Sequence, residues 1–111
     1  VKMKFRLDDK TLEQLIDEMR DGFQIPHFYK DSSLKMDFNE ADGYFYSLCP
    51  DVDYDTDLIA RGLLKNYVLY AYYKRIDEFK INYASSILEW QFSKFKGVVE
   101  DEEQDSTAGL Q

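Results

Sequence analysis

Cysteine is almost missing from this chain of 111 residues. Cys49 stands alone, so no internal disulfide can form and no cysteine cluster can hold a metal. The composition points to a reducing compartment, or to assembly in one. Histidine is as scarce: His27 is the single one, which deprives general acid–base chemistry and nucleophilic triads of their commonest member. His27 lies between Pro26 and Phe28, where a packed loop ring is a simpler role than catalysis or metal binding. Cys49, before Pro50, reads as a small hydrophobe at a helix end and not as a reactive thiol. Glycine-rich phosphate loops and metal-spaced Cys/His pairs are missing too. No run of about 18 apolar residues occurs, so no membrane span is expected. The stretch from Val1 to Asp9 has no apolar run resembling a signal peptide. An enzyme, a cofactor and a metal centre are therefore not expected.

Positive charge is also in short supply. Fourteen Lys and Arg face 22 Asp and Glu, a net charge of −8. That balance argues against non-specific binding to DNA, RNA or anionic lipid. At 44% hydrophobic, the chain still has the material for a core and is not a disordered polyelectrolyte. A chain of this length forms one domain and hides about two-thirds of its unfolded surface.

The apolar residues follow helical spacing, and no alternating run is long enough for a strand. Leu12, Leu15, Ile16 and Met19 predict a first helix over 9–20, with Thr11 and Gln14 as a capping box and Gly22 as the stop. Pro26 holds Ile25 extended, which makes the next residues a connector. Leu34, Phe38, Ala41, Phe45 and Leu48 predict a second helix over 32–48, capped by Ser32 or Ser33 and ended by Pro50. From Leu58 to Tyr73, 12 of 16 residues are apolar or aromatic. They point to every side of a helix, and such a helix has to be buried all round. Three short helices can hardly cover it, so part of its surface is expected to meet another chain. The pattern continues through Ile76, Phe79, Tyr83, Ile87, Leu88, Phe92 and Phe95. Asn82 can cap a separate helix over 83–96, or the two can run on with a bend. The expected fold is all-α: a bundle of about four helices with one long central helix.

After Gly97 the composition changes. Residues 100–105 hold five acids in six positions, whereas residues 1–99 carry 14 basic and 17 acidic residues, a balance of −3. The chain thus divides into a helical domain, 1–97, and an acidic extension, 98–111, which alone cannot form a core.

Asp51, Asp53, Asp55 and Asp57 imitate the first four ligand positions of a calcium-binding loop. Position 6 of such a loop needs glycine and position 12 a bidentate glutamate. Thr56 and Gly62 occupy those places, so a solvated turn that caps the next helix is the better reading. The aromatic residues are the stronger signal: nine Tyr, eight Phe and one Trp. Phe38, Phe45 and Phe79 read as core. Tyr67, Tyr70, Tyr72 and Tyr73 cannot all fit one small core, and tyrosine suits a protein interface. Stacking of single-stranded nucleic acid would need a basic groove beside the rings, and Lys65, Lys74, Arg75 and Lys80 are spread out.

The run from Asp57 to Phe79 (DLIARGLLKNYVLYAYYKRIDEF), followed by Asn82-Tyr83-Ala84 and Ile87-Leu88, resembles the small head–tail connector (adaptor, head-completion) proteins of tailed bacteriophages. The likeness covers about residues 25–96, with Ile25-Pro26 and the Leu34-to-Leu48 stripe fitting the family's layout. The resemblance implies a virion structural protein made in the bacterial cytoplasm. It implies a ring of about a dozen copies under the portal that extends the DNA channel and docks the next tail-proximal component. It also implies a portal-gripping C-terminal extension. Here Val98, Val99, Glu100, Asp101, Glu102, Glu103 and Asp105 occupy that place, although such acidity departs from the family pattern. Genomic DNA would pass without specific binding, since an acidic channel repels it. The rival reading is a small acidic phage inhibitor or DNA mimic, or an immunity protein, that binds a nuclease-type partner.

Overall fold

The computed structural model describes residues 6–94, and within them every regular element is a helix. Helix α1 spans Asp9–Gly22 and buries Thr11, Leu12, Leu15, Ile16 and Met19 along one stripe. Its cap is Asp8, whose carboxylate accepts the Thr11 N–H at 2.7 Å. The expected Thr11 capping box is thus displaced by one turn: the threonine lies inside the helix and is buried. The chain turns away after Gly22 through Phe23 and Gln24, and Gln24 takes a left-handed φ of 56°.

Helix α2 spans Asp31–Leu48. It starts at Lys30 without a side-chain cap, so neither Ser32 nor Ser33 caps it. Asp31 complements the positive end of the helix instead. The predicted stripe of Leu34, Phe38, Ala41 and Phe45 faces inward, joined by the buried Asp42. Gly43 is exposed, so its missing side chain leaves no hole in the core.

Asp57 caps α3, Leu58–Tyr72, by accepting the Ala60 N–H at 3.1 Å. Four residues C-terminal, Arg61 returns its N–H to the Asp57 carbonyl. At 15 residues α3 is shorter than the 18 of α2, so the expected long central helix is central without being the longest. It stops because Lys74 adopts a left-handed φ of 62° and the Arg75 N–H reaches back to the Tyr70 carbonyl at 2.8 Å. Helix α4, Ile76–Asn82, comes next. A turn at Tyr83 leads into α5, residues 84–94. The chain therefore breaks twice after α3, and Asn82 closes α4 instead of capping α5.

These elements enclose a core dominated by rings. Trp90, Phe38, Phe45 and Phe79 are its largest fully buried side chains. Phe45 meets Trp90 edge-on at 5.8 Å and Phe79 at 6.2 Å, and Tyr67 meets Phe79 at 5.3 Å. Such pairs add about 0.5–1.5 kcal/mol each beyond the area they bury. The inward placement of Phe38, Phe45 and Phe79 agrees with the sequence reading.

Candidate interaction surface

Four structural features are built from polar side chains, and each fixes part of the surface. Arg61 on α3 forms a two-pronged pair with Glu18 on α1, and Lys65 donates to the same carboxylate at 2.9 Å. The Arg61 hydrogen bond, with help from Lys65, holds the Glu18 carboxyl at about 2, well below its ordinary range. This ties α1 to α3 across the bundle.

Asp57 has three tasks. Besides capping α3 it accepts the Trp90 indole N–H at 2.8 Å and the Lys94 ammonium at 2.7 Å. Burial pushes its carboxyl up, but the Lys94, Trp90 and Ala60 donors outweigh burial and hold it low. The other aspartates of the turn act locally: Asp53 accepts the Asp55 N–H, and Asp55 lies 3.7 Å from Arg61. The Asp51–Asp57 cluster thus serves as turn and cap. Among the described residues no group of three His, Cys, Asp or Glu is placed to hold a metal ion.

Asp42 is the one buried carboxylate among the described residues. Its side chain is 4% exposed and accepts the Tyr54 hydroxyl at 2.8 Å and two N–H groups of Arg6, one at 3.0 Å. Arg6 also lies over the Tyr46 ring at 4.8 Å. The segment before α1 is thereby fastened to α2 and to the turn that carries Tyr54.

The loop between α1 and α2 is held by a single arginine. Arg20, 10% exposed, donates to the carbonyls of Ile25 (3.2 Å), Pro26 (2.6 Å) and Tyr29 (2.7 Å), and pairs with Asp31 at 2.7 Å. Tyr29 donates its hydroxyl to Asp37 and sets its ring edge-on to Tyr72 at 4.9 Å. Burial raises the Asp37 carboxyl, and the Tyr29 hydrogen bond only partly offsets it. His27 and Phe28 project from this fixed loop, both exposed, so His27 is not packed into the fold.

The four tyrosines of α3 and its end separate. Tyr67 is a core residue, packed against Tyr44, Phe45 and Phe79, and its ring faces inward, away from any interface. Tyr70 and Tyr72 are half-buried, and Tyr73 is 57% exposed. The expectation that α3 is apolar and covered on every side does not hold: Ala60, Leu63, Leu64, Tyr67, Val68 and Ala71 are buried, whereas Arg61, Lys65 and Asn66 give the middle turns a polar, half-buried side. Leu58 and Ile59 in the first turn and Tyr73 at the end face solvent. Leu69, Tyr70 and Tyr73 line one wall of a groove of about 630 Å³, closed by Arg75, Glu78 and Asn82. The extension from Val98 to Asp105, with Glu100, Asp101, Glu102 and Glu103, lies outside the described residues.

Large apolar side chains also face outward from the last two helices: Ile81 on α4, and Leu88 and Phe92 four residues apart on α5. On α5 the core takes Ile87 and Trp90, so the Leu88–Phe92 pair looks away from the bundle. Together with Leu58 and Ile59, these exposed residues are the main candidate for contact with another chain. A second surface is acidic: Asp9, Glu13, Asp17 and Asp21 succeed one another at four-residue steps along α1, all exposed. No described helix is long and apolar enough to cross a membrane.

Sequence reasoning missed Trp90, Arg61, Glu18, Arg6 and Asp42. The available signals were the single tryptophan on the apolar face of the last helix, and a charged residue beside the Ala41 stripe. Comparison with protein families, with curated proteins and with solved structures finds no match.

Proposed function

We propose that this chain is a virion structural protein, a head–tail connector that forms a ring under the portal, extends the DNA channel and docks the next tail-proximal component. One observation carries the reading. The core closes around Trp90, Phe45 and Phe79, yet Leu58, Ile59, Ile81, Leu88 and Phe92 are left facing solvent on three successive helices. Large exposed side chains of this kind cost solubility unless another surface covers them. The resemblance of residues 57–79 to the connector family supplies the identity of that surface: further copies of the chain, the portal and a tail-proximal protein. The acidic row on α1 suits a wall that DNA passes without sticking.

The same row favours a second reading, in which the chain is an acidic inhibitor that presents carboxylates to a nuclease-type partner. Their four-residue repeat places a charge about every 6 Å along the helix. A single row of four is a poor copy of a two-stranded phosphate pattern, which keeps this reading second.

The test uses the portal protein of the same phage. The full chain should bind it in a pull-down, and a chain ending at residue 97 should bind at least tenfold more weakly while keeping its melting temperature. Equal binding by the shortened chain would remove the portal-gripping role of residues 98–111. No binding by either chain would remove the connector reading.

A further inference from the structure

Asp42, Tyr46 and Tyr54 converge on one guanidinium group, that of Arg6. The Asp42 carboxylate takes it with both oxygens, from Nε at 3.0 Å and from Nη2. The Tyr46 ring centre lies 4.8 Å from its central carbon and the Tyr54 ring centre 5.9 Å, both within the roughly 6 Å of a cation–π contact. A two-pronged carboxylate beside aromatic rings suits a planar guanidinium and suits the compact ammonium of lysine poorly.

The three receptor groups hold one another without the arginine. Asp42 and Tyr46 stand one turn apart on α2, and Tyr54 follows in the turn after it. Tyr54 is 3% exposed and donates its hydroxyl to Asp42 at 2.8 Å. Only the guanidinium comes from elsewhere, on the segment before α1, and the Arg6 side chain is 37% exposed. Leu7 behind it is buried and Asp8 caps α1, so Arg6 can swing outward while both keep their places. Stability alone gives little reason for the arrangement, because a buried ion pair is often no better than an apolar pair of the same size.

A groove of about 290 Å³ continues from Arg6 and Tyr54, with the buried Leu7 and Val52 beneath and Asp8, Asp53 and Asp55 exposed along it. Asp8 and Asp53 each accept one backbone N–H, and neither forms an ion pair among the described residues. The charge of this groove complements a basic segment and repels nucleic acid or anionic lipid. We infer that Asp42, Tyr46 and Tyr54 form a receptor for an arginine on a basic segment of a partner protein, and that Arg6 is its built-in competitor. The partner's arginine takes the place of Arg6, and its neighbouring basic residues lie along Asp8, Asp53 and Asp55. The site goes beyond the connector reading and does not depend on it.

Fluorescence anisotropy on the full chain tests it with two labelled probes, the peptide Lys-Gly-Arg-Gly-Lys and the same peptide with lysine in place of arginine. Arg6→Ala should bind the arginine probe at least tenfold more tightly than wild type does, because the competitor is gone. It should also prefer that probe to the lysine probe by at least tenfold. Combining Arg6→Ala with Asp42→Asn should abolish the preference. Circular dichroism establishes that each chain is folded. If Arg6→Ala fails to fold, Arg6→Lys takes its place: it keeps a charge near Asp42 without the fork and should gain at least threefold over wild type. No binding by a folded Arg6 variant, equal binding by that variant and wild type, equal binding of the two probes, or a preference that survives Asp42→Asn would each overturn the proposal. The connector reading is scored separately, by portal binding and by the content of virus particles.

Discussion

Arg6→Met is expected to destabilise the fold by about 1–3 kcal/mol, the cost of leaving a buried acceptor short of its donors where the partner itself is part-exposed. The Asp42 carboxylate is enclosed on α2, and Arg6 supplies its only cationic partner among the described residues. Methionine keeps the aliphatic stem but removes the guanidinium, and with it the charge, every donor and the stacking on Tyr46. The remaining hydrogen bond, from the Tyr54 hydroxyl, cannot neutralise a carboxylate. Urea denaturation of the single variant and of Arg6→Met combined with Asp42→Asn checks the cause. Removing the charge from both sides should recover a large part of the loss. An Arg6→Met chain as stable as wild type would show that water, not Arg6, satisfies Asp42.

The second large effect is at Trp90. Trp90→Ala should cost about 3–5 kcal/mol through the cavity it leaves beside Phe45. Trp90→Phe should fall between the two. It refills most of the space but removes the indole N–H from Asp57, a hydrogen bond to a charged acceptor that contributes about 1.5–3 kcal/mol. Circular dichroism in urea gives both values, since replacing Trp90 removes the chain's one tryptophan fluorophore. If Trp90→Phe equals wild type, the bond to Asp57 contributes nothing, and Asp57 acts through its cap of α3 and its pair with Lys94 alone.

Much of this was legible in the sequence, for a physical reason. Helical spacing of Leu12 to Met19 and of Leu34 to Phe45 depends on local geometry alone, so the first two helices and their buried stripes could be read directly. That the Asp51–Asp57 turn caps α3 was legible for the same reason, though not that Asp57 is the capping member. Caps at Thr11 and Ser32 were misplaced, because Asp8 and Lys30 compete for those ends through the path of the chain before each helix. The break at Tyr83 was legible as one of two alternatives, through Asn82, but the break at Lys74 was not: it lies in a stripe that stays apolar from Leu69 through Ile87, and a left-handed lysine carries no compositional mark. Nor could spacing pair Arg6 with Asp42 or Trp90 with Asp57, which are 36 and 33 residues apart. The tyrosines show the same limit. Their number argued for an interface, but only the turn of α3 separates Tyr67, which is spent in the core, from Tyr73, which is not.

The central claim is that this chain is built into virus particles, and quantitative mass spectrometry of purified virions from its phage tests that most directly. The connector account predicts about a dozen copies per particle, the number that the resemblance to the connector family implies. Absence from virions, together with abundance in infected cells, would contradict it and bring the acidic inhibitor forward.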